Sequence, residues 1–211
     1  MELTVGTDST WSLRVWICSQ LAQIDVDVNV IDLTDSDYKT EIFKHSQTGL
    51  VPSLNEGTFV IHDSLAIAEY LNECSKGALY PNSISDRALA RSLCSELHSG
   101  FMSLRSQCPF SLEQVTPLIE MSNDIENELN RIEEIFEKAQ LPFMFNSAGV
   151  VDAFYSILAF RLKAYGIKLQ GKAGVYQESL LSWDYLKHAI ELAKSWNNRE
   201  KNKLTSTKID S

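Results

Sequence analysis

The hydrophobic positions follow two different periods along the chain, and the change of period divides the chain into two parts. In the first part, short extended runs with apolar residues at alternating positions are separated by stretches with helical spacing. From Ser85 onward, apolar residues recur at helical spacing throughout. The pattern predicts a fold of the class α/β plus all-α, with a linker at residues 76–82 between the two parts.

The first part is predicted to contain seven elements in the order βαβαββα. It begins with a strand at Leu3–Val5, a helix at Trp11–Gln23 and a strand at Val26–Ile31. These two strands should pair in parallel, because a strand–helix–strand unit returns the chain in the same direction. The remaining elements are a helix at Tyr38–His45, strands at 51–54 and 58–61, and a helix that follows Asp63.

The second part is predicted to contain helices only. They are expected at Asp86–Gln107, Leu112–Lys138, Val150–Tyr165, 174–181 and Ser182–Trp196. Pro109 separates the first two, and Gly166 is placed to end the third in a left-handed conformation. The predicted domains are residues 1–76 and residues 84–198, followed by a polar tail at residues 199–211.

Composition and charge narrow the range of functions. The 211 residues are 44% hydrophobic and carry a net charge of −9, which argues against nucleic acid and membrane surfaces as partners. No apolar run approaches the roughly 18 residues of a membrane span, and the first ten residues are unlike a signal peptide. The four cysteines form no CxxC pair and are expected to be reduced thiols of a cytoplasmic protein. The four histidines lack metal-ligand spacing, so no metal is expected.

The stretch from Gly49 to Glu73 carries the most specific local signals. A turn at 55–57 joins two extended runs, and Asp63 stands where a helix N-cap belongs. Pro52 cannot donate to a strand ladder, which indicates either an edge strand or a cis bond that exposes the preceding backbone to a ligand. The residues alone are also consistent with a plain hairpin followed by a capped helix.

This stretch resembles the thioredoxin-like half of cytosolic glutathione S-transferases. Val51-Pro52 matches the family's cis-proline dipeptide, whose valine backbone holds the cysteinyl part of glutathione, and Asp63-Ser64 matches the helix start that holds the γ-glutamyl end. The resemblance implies an N-terminal thioredoxin-like βαβαββα domain followed by an all-helical C-terminal domain. It also implies glutathione as co-substrate, with no metal.

The segment from Asp8 to Val15 is similar to the motif of serine-type members of that family. The match implies that Ser9 is the catalytic residue, whose hydroxyl donates to the glutathione sulfur. The unpaired N–H groups of a helix N-terminus also favour an adjacent thiolate. Ser9, Thr10 and Ser12 are all able to cap the helix, so which of the three contacts the sulfur stays open.

The resemblance extends to the remaining binding residues, with departures. The glutathione-binding residues that it implies are Thr10, Leu50, Val51, Pro52, Asp63 and Ser64. Many members carry Lys, Arg or Gln where this chain has Leu50, and Lys39, Lys44 and His45 are the candidates to compensate. His62 before Asp63-Ser64 is similar to zeta-class enzymes, whereas Trp11 stands where that class has cysteine.

The second part resembles the same family in two segments. Residues 145–167 look like its buried helix, with Asp152 in the capping motif and Gly149 in the cap position. Residues 96–110 resemble a bacterial subgroup. In one continuous helix, His98, Phe101, Met102 and Arg105 would share a face. With Trp11 they form the predicted substrate pocket, although Phe101 and Met102 are equally consistent with core packing.

The predicted function is that of a glutathione transferase that conjugates the glutathione thiolate to a small hydrophobic electrophile, or isomerises one in the manner of a maleylacetoacetate isomerase. The alternative is a non-catalytic glutathione-binding or regulatory protein that keeps the fold. The family further implies a twofold homodimer in the cytoplasm.

Overall fold

The computed structural model describes residues 1–117 and 120–206, with side chains described up to residue 198. Its first part is a four-stranded mixed sheet in the order β2-β1-β3-β4. The strands are β1 (Glu2–Gly6), β2 (Asp27–Ile31), β3 (Ser53–Asn55) and β4 (Val60–His62). The predicted βαβαββα order is confirmed, and so is the all-helical second part.

Nine helices lie within the described residues. The first part holds α1 (Thr10–Leu21), α2 (Tyr38–Phe43) and α3 (Ser64–Cys74), and the second holds α4 (Ile84–Ser99), α5 (Met102–Gln107), α6 (Asn123–Phe136), α7 (Val150–Ala164), α8 (Gly171–Ser182) and α9 (Asp184–Ser206). Helix α1 packs against α3 and also against α7, so the two parts share one continuous core. None of the described helices is both long and apolar enough to cross a membrane.

The strand register brings three chain segments to one end of the sheet. Strand β1 pairs in parallel with β2 and antiparallel with β3, where Leu3 faces Leu54 and Thr4 faces Ser53. Leu3 and Leu54 are fully buried, which fixes this register because a one-residue slip would turn them to the opposite face. The C-terminal end of β1 therefore lies beside the N-terminal end of β3. The loop before α1 and the residues before Ser53 consequently meet.

The prediction of one long helix at Asp86–Gln107 is wrong, because the structure has two helices there. Helix α4 ends at Ser99, and α5 begins only after Phe101, whose φ of 55° is left-handed. A side chain at Gly100 would place its Cβ 2.7 Å from the Glu96 carbonyl oxygen, so glycine permits the sharp exit. Phe101 is only 6% exposed and packs into the core. The free energy of this burial offsets the conformational energy of its left-handed backbone. The single helical face predicted for His98, Phe101, Met102 and Arg105 does not exist.

Three other helix boundaries also differ from the prediction. The helix expected at Leu112–Lys138 begins at Asn123, where the Ser122 hydroxyl caps it by accepting from the Ile125 N–H at 3.3 Å. The described residues of 111–122 are not helical, and Pro117 among them has no N–H to donate. Helix α8 starts earlier than predicted, and α9 continues past Trp196 to Ser206. The last five residues of the predicted polar tail, 207–211, lie outside the described residues.

Asp152 anchors the buried helix α7 to its surroundings. Its Oδ1 accepts from the Met144 N–H at 2.9 Å and from the Tyr176 hydroxyl at 2.7 Å, and its Oδ2 accepts from the Gly149 N–H at 2.9 Å. A Cβ on Gly149 would lie 2.7 Å from the Leu79 carbonyl oxygen. Glycine therefore occupies this cap position because the linker backbone passes too close for a side chain.

All four cysteines are free thiols, but only Cys74 is exposed. Burial raises the pKa of the thiols of Cys18, Cys94 and Cys108. Because the thiolate is the reactive form, 5,5′-dithiobis(2-nitrobenzoate) should modify one thiol rapidly in the native protein and four in denaturant. The Cys74→Ser variant should lose the rapid phase. Two or more rapid thiols in the native protein would contradict this burial pattern.

Candidate functional site

A cleft of 280 Å³ opens at the end of the sheet where β1 and β3 meet. It lies between the loop that leads into α1, the segment before β3, the start of α3 and the end of α4. We call it the first cleft, and it is lined by Trp11, Thr48, Leu50, Val51, Pro52, His62, Asp63, Ser64, His98 and Arg105. The cleft therefore collects five of the six residues predicted to bind glutathione and three of the five predicted for the substrate pocket.

The Val51-Pro52 peptide bond is cis, which confirms the prediction for this dipeptide. Val51 lies outside β3, and among the described residues its N–H and C=O form no hydrogen bond. Both backbone groups thus belong to a residue that lines the first cleft, where they are available to an extended peptide-like ligand.

Ser64 is the first residue of α3 and the most unusual polar group in the first cleft. The residue is 2% exposed, and its Oγ has no hydrogen-bond partner among the described residues. A buried hydroxyl without a partner costs free energy, so native proteins rarely keep one without a role. Ser64 also lies at a helix N-terminus, whose positive end favours a carboxylate.

Asp63 links the two parts of the chain across the first cleft. Its Oδ1 caps α3 by accepting from the N–H groups of Leu65 at 2.8 Å and Ala66 at 3.4 Å. Its Oδ2 lies 2.7 Å from His98 Nε2 on α4. The imidazole of His98 in turn lies against Trp11, with ring centroids 5.0 Å apart. The prediction of Asp63 as an N-cap is confirmed, and His98 is revealed as its partner from the second part.

The three hydroxyl residues near the start of α1 have different positions. Ser9 caps the helix, and its Oγ accepts from the Ser12 N–H at 3.3 Å and the Ser12 hydroxyl at 3.0 Å. The Ser9 hydroxyl proton finds no acceptor among the described residues. Ser12 is fully buried, and its Oγ lies 3.4 Å from the Gly6 N–H that donates to it. Thr10 lines not the first cleft but a second one, which is described below. Neither Ser9 nor Ser12 lines the first or the second cleft.

Leu50 lies at the rim of the first cleft with 68% of its surface exposed. The candidate compensating side chains lie elsewhere. Lys44 pairs with Glu41 at 2.6 Å, and His45 contacts Glu2 at 3.2 Å. Lys39 lines neither cleft. Within the described residues, no side chain of this group replaces the polar partner that leucine lacks.

A second cleft of 330 Å³ lies on the other side of Arg105, which lines both clefts. The second cleft is lined by Asp8, Thr10, Met102, Arg105, Ser106, Pro109, Phe110 and Arg161. Met102 thus lies in the second cleft, whereas Phe101 is buried in the core and lines neither. Sequence reasoning did not single out Arg161, although an arginine within the otherwise apolar run of α7 is itself a signal.

No group of three or more metal-ligating side chains is close enough together to hold a metal ion in the part of the chain that the structure describes. The first cleft instead offers backbone amides, one free hydroxyl, a carboxylate, two imidazoles and a guanidinium group. These groups suit an organic ligand that carries both charge signs and a peptide backbone.

The first part of the chain is similar in sequence to the N-terminal domain of a known enzyme family. Residues 8–74 match the family model described as the N-terminal domain of glutathione S-transferase. Over 91 residues, 42% of this chain, the sequence is 36% identical to glutathione S-transferase 1 of Dianthus caryophyllus. That match spans 41% of the length of the curated relative.

Solved structures of glutathione transferases share the fold over nearly the whole chain. A glutathione transferase homolog from Burkholderia with bound glutathione aligns with a TM-score of 0.72 at 22% identity, covering 92% of this chain and 98% of that one. The zeta-class maleyl pyruvate isomerase, a bacterial glutathione S-transferase, aligns with a TM-score of 0.69 at 16% identity, covering 90% and 96%. Together, these findings show that the first part resembles the N-terminal domain of glutathione S-transferases and that the described chain shares their fold.

Proposed function

We propose that this chain is a serine-type glutathione transferase that adds the glutathione thiolate to a small electrophile. The observation that carries the proposal is the buried Ser64 hydroxyl without a partner, which lies in the same cleft as the free backbone groups of Val51. One peptide ligand with a carboxylate and an adjacent amide would satisfy both.

The γ-glutamyl part and the cysteinyl backbone of glutathione each have complementary groups in the first cleft. The Val51 N–H and C=O pair with the cysteinyl backbone, as an added strand would. The hydroxyl and the N–H of Ser64, at the positive end of α3, hold the γ-glutamyl carboxylate. The Asp63 carboxylate, which is partly exposed, accepts from the γ-glutamyl ammonium.

The reaction needs the thiol to lose its proton to solvent before the sulfur forms a bond to the electrophilic carbon. The leaving group then departs with the electron pair of the bond that breaks. We assign Ser9 to the sulfur, because its hydroxyl proton is free while its lone pairs accept from Ser12. The position of Ser9 at the N-terminus of α1 adds the favourable end of the helix dipole.

Stabilising the thiolate accounts for only a small part of the rate. A thiol with a pKa of ~8.5 is roughly 3% ionised at pH 7, and a pKa lower by ~2 units raises that fraction about 25-fold. The intrinsic nucleophilicity falls at the same time, by roughly eightfold. The net gain is about threefold, so most of the acceleration must come from holding the electrophile beside the sulfur.

Two narrower candidates have specific support. The sequence His62-Asp63-Ser64 at the start of α3 is the zeta-like feature. It favours an isomerase of the maleylacetoacetate type, in which the thiolate adds to a double bond and leaves again. The exposed Leu50 favours the other candidate, a non-catalytic glutathione-binding or regulatory protein. The twofold homodimer and the cytoplasmic location belong to the same set of proposals.

The pH–rate profile of conjugation to 1-chloro-2,4-dinitrobenzene tests the role of Ser9. The Ser9→Ala variant should raise the pKa of bound glutathione by about one to two units, because a hydrogen bond to a charged group is worth roughly 1.5–3 kcal/mol. Its rate should therefore fall more at pH 6.5 than at pH 9, where glutathione ionises unaided.

Thr10→Ala and Ser12→Ala are the matched controls for that experiment. Thr10 lines the second cleft, so its profile should keep the wild-type pKa, whereas Ser12→Ala removes the hydroxyl that donates to Ser9 Oγ and should shift the profile less than Ser9→Ala does. A shifted profile for Thr10→Ala alone would move the role to that residue. Wild-type protein without turnover would favour the non-catalytic candidate.

A further inference from the structure

Three arginines from three different helices form a cluster, and two of them lie over the ring of Trp11. The Arg14 guanidinium carbon lies 4.4 Å from the centre of the Trp11 ring, and the Arg105 guanidinium carbon lies 5.2 Å from it. Arg161 joins the group from α7, where its Nη1 donates to the Arg105 carbonyl at 3.4 Å and to the Cys108 carbonyl at 2.8 Å.

No acidic side chain among the described residues forms a salt bridge with any of the three arginines. Elsewhere in the chain, Arg91 and Arg131 pair with glutamates at 2.8 Å and 2.6 Å. The chain carries 28 acidic and 19 basic side chains, so unpaired arginines are not due to a shortage of carboxylates. Buried charges are normally paired, which makes this cluster an exception.

Two members of the cluster are buried and incompletely hydrogen-bonded. Arg14 is 2% exposed and Arg161 is 6% exposed. Arg14 Nη1 and Arg161 Nε have no partner among the described residues. Burial, with the positive charges of Arg161 and Arg105, holds the pKa of Arg14 well below its ordinary value. Burial and Arg105 likewise lower the pKa of Arg161. An anion beside the cluster would accept from the unpartnered groups and would also offset the repulsion between the positive charges.

The second cleft is where such an anion can reach the cluster. Arg105 and Arg161 line it, together with the hydroxyl residues Thr10 and Ser106 and the ring of Phe110. The one carboxylate of this cleft belongs to Asp8, which is exposed and accepts from Asn197 Nδ2 at 2.8 Å. The cleft thus combines two cations with an apolar wall, and Arg105 connects it to the first cleft.

We infer that the second cleft binds the carboxylate group of the electrophilic co-substrate, so that the preferred substrates are anionic electrophiles and not neutral hydrophobic ones. This inference rests on the proposed transferase function. The carboxylate would accept from the guanidinium groups of Arg105 and Arg161, which both line this cleft, and the unsaturated or aromatic body would pack on Phe110. The reacting carbon would then point past Arg105 toward the first cleft.

Calorimetric titration with a matched acid and ester tests this inference without requiring turnover. The probes are 3,5-dinitrobenzoate and methyl 3,5-dinitrobenzoate, which have no leaving group, each titrated into the wild-type protein that holds S-methylglutathione. The acid should bind at least about tenfold more tightly, since charge-assisted hydrogen bonds to a carboxylate are worth that much or more. Added salt should weaken the binding of the acid and leave the binding of the ester unchanged.

The Arg105→Gln variant assigns the preference to the cluster. Arg105 is only partly buried, so its replacement should leave the fold intact. The ratio of acid to ester affinity should fall to near one. Lys172→Gln on α8 is the control with the same change of charge, at an exposed position outside both clefts, and it should keep the wild-type ratio.

Equal affinities of the wild type for the acid and the ester would overturn the inference. It would also be overturned if Arg105→Gln weakened the binding of the acid and of the ester by the same factor. Displacement of the acid by S-methylglutathione would also overturn it, because the cations would then serve glutathione itself. Turnover of 4-chloro-3,5-dinitrobenzoate and its methyl ester separates the two proposals. If neither chloro compound reacts while 3,5-dinitrobenzoate still binds more tightly than its methyl ester, the transferase function fails and the anion site stands.

Discussion

Replacing Asp152 with alanine should lower the free energy of unfolding by about 3–5 kcal/mol. The variant leaves three buried or half-buried donors without an acceptor, namely the N–H groups of Met144 and Gly149 and the hydroxyl of Tyr176. Each unsatisfied buried group costs about 1–3 kcal/mol. Burial raises the pKa of the Asp152 carboxyl, while the hydrogen bonds from Tyr176, Met144 and Gly149 act in the opposite direction.

Urea unfolding followed by tryptophan fluorescence measures this loss, because Trp196 is buried in the same core. Tyr176→Phe is the graded control. It removes one donor and leaves the other two bonds of the carboxylate intact, so it should cost only about 1–2 kcal/mol. Equal losses for Asp152→Ala and Tyr176→Phe would show that the backbone bonds of Asp152 contribute nothing.

Replacing Ser64 with alanine should weaken glutathione binding by roughly 10- to 100-fold without destabilising the protein. The two effects differ because the Ser64 hydroxyl has no partner in the free protein and gains one only with the ligand. Removing an unsatisfied buried hydroxyl is neutral or stabilising, so the free energy of unfolding should stay constant or rise. A residue with a purely structural role would not show this combination.

Ser156→Ala provides the mirror-image control for Ser64→Ala. Ser156 is also a buried helical serine, but its hydroxyl donates to the Ala153 carbonyl at 3.1 Å. Its replacement should cost about 1 kcal/mol of stability and leave glutathione affinity unchanged. Calorimetric titration and urea unfolding on the same samples give both quantities. A stability loss without a binding loss in Ser64→Ala would remove Ser64 from the site.

The parts of the fold that depend on local physics could be predicted from sequence. The alternating apolar residues of β1 and β2, the turn at 55–57 and the Asp63 cap each act within a few residues, and the structure has all of them. The break between α4 and α5 could not be predicted. It depends on the burial of Phe101 in a core built by distant segments, which outweighs helical periodicity.

The candidate site divides in the same way. Val51 and Ser64 come together because β3 and β4 form an antiparallel hairpin in which Ser53 pairs with His62. Asp63 belongs to the first part of the chain and His98 to the second, 35 positions later. No local sequence signal therefore predicts their contact. The arginine cluster around Trp11 depends on how α1, α5 and α7 pack, and it becomes visible only in three dimensions.

Backbone amide chemical shifts during a titration with glutathione test the central proposal most directly. If the first cleft holds glutathione, the amide signals of Val51 and Ser64 should shift and saturate together, and those of α8 should stay in place. The same titration of Ser64→Ala should require a higher glutathione concentration to reach saturation. Saturable shifts confined to residues outside the first cleft, or no saturable shift at all, would contradict the assignment of this chain as a glutathione transferase.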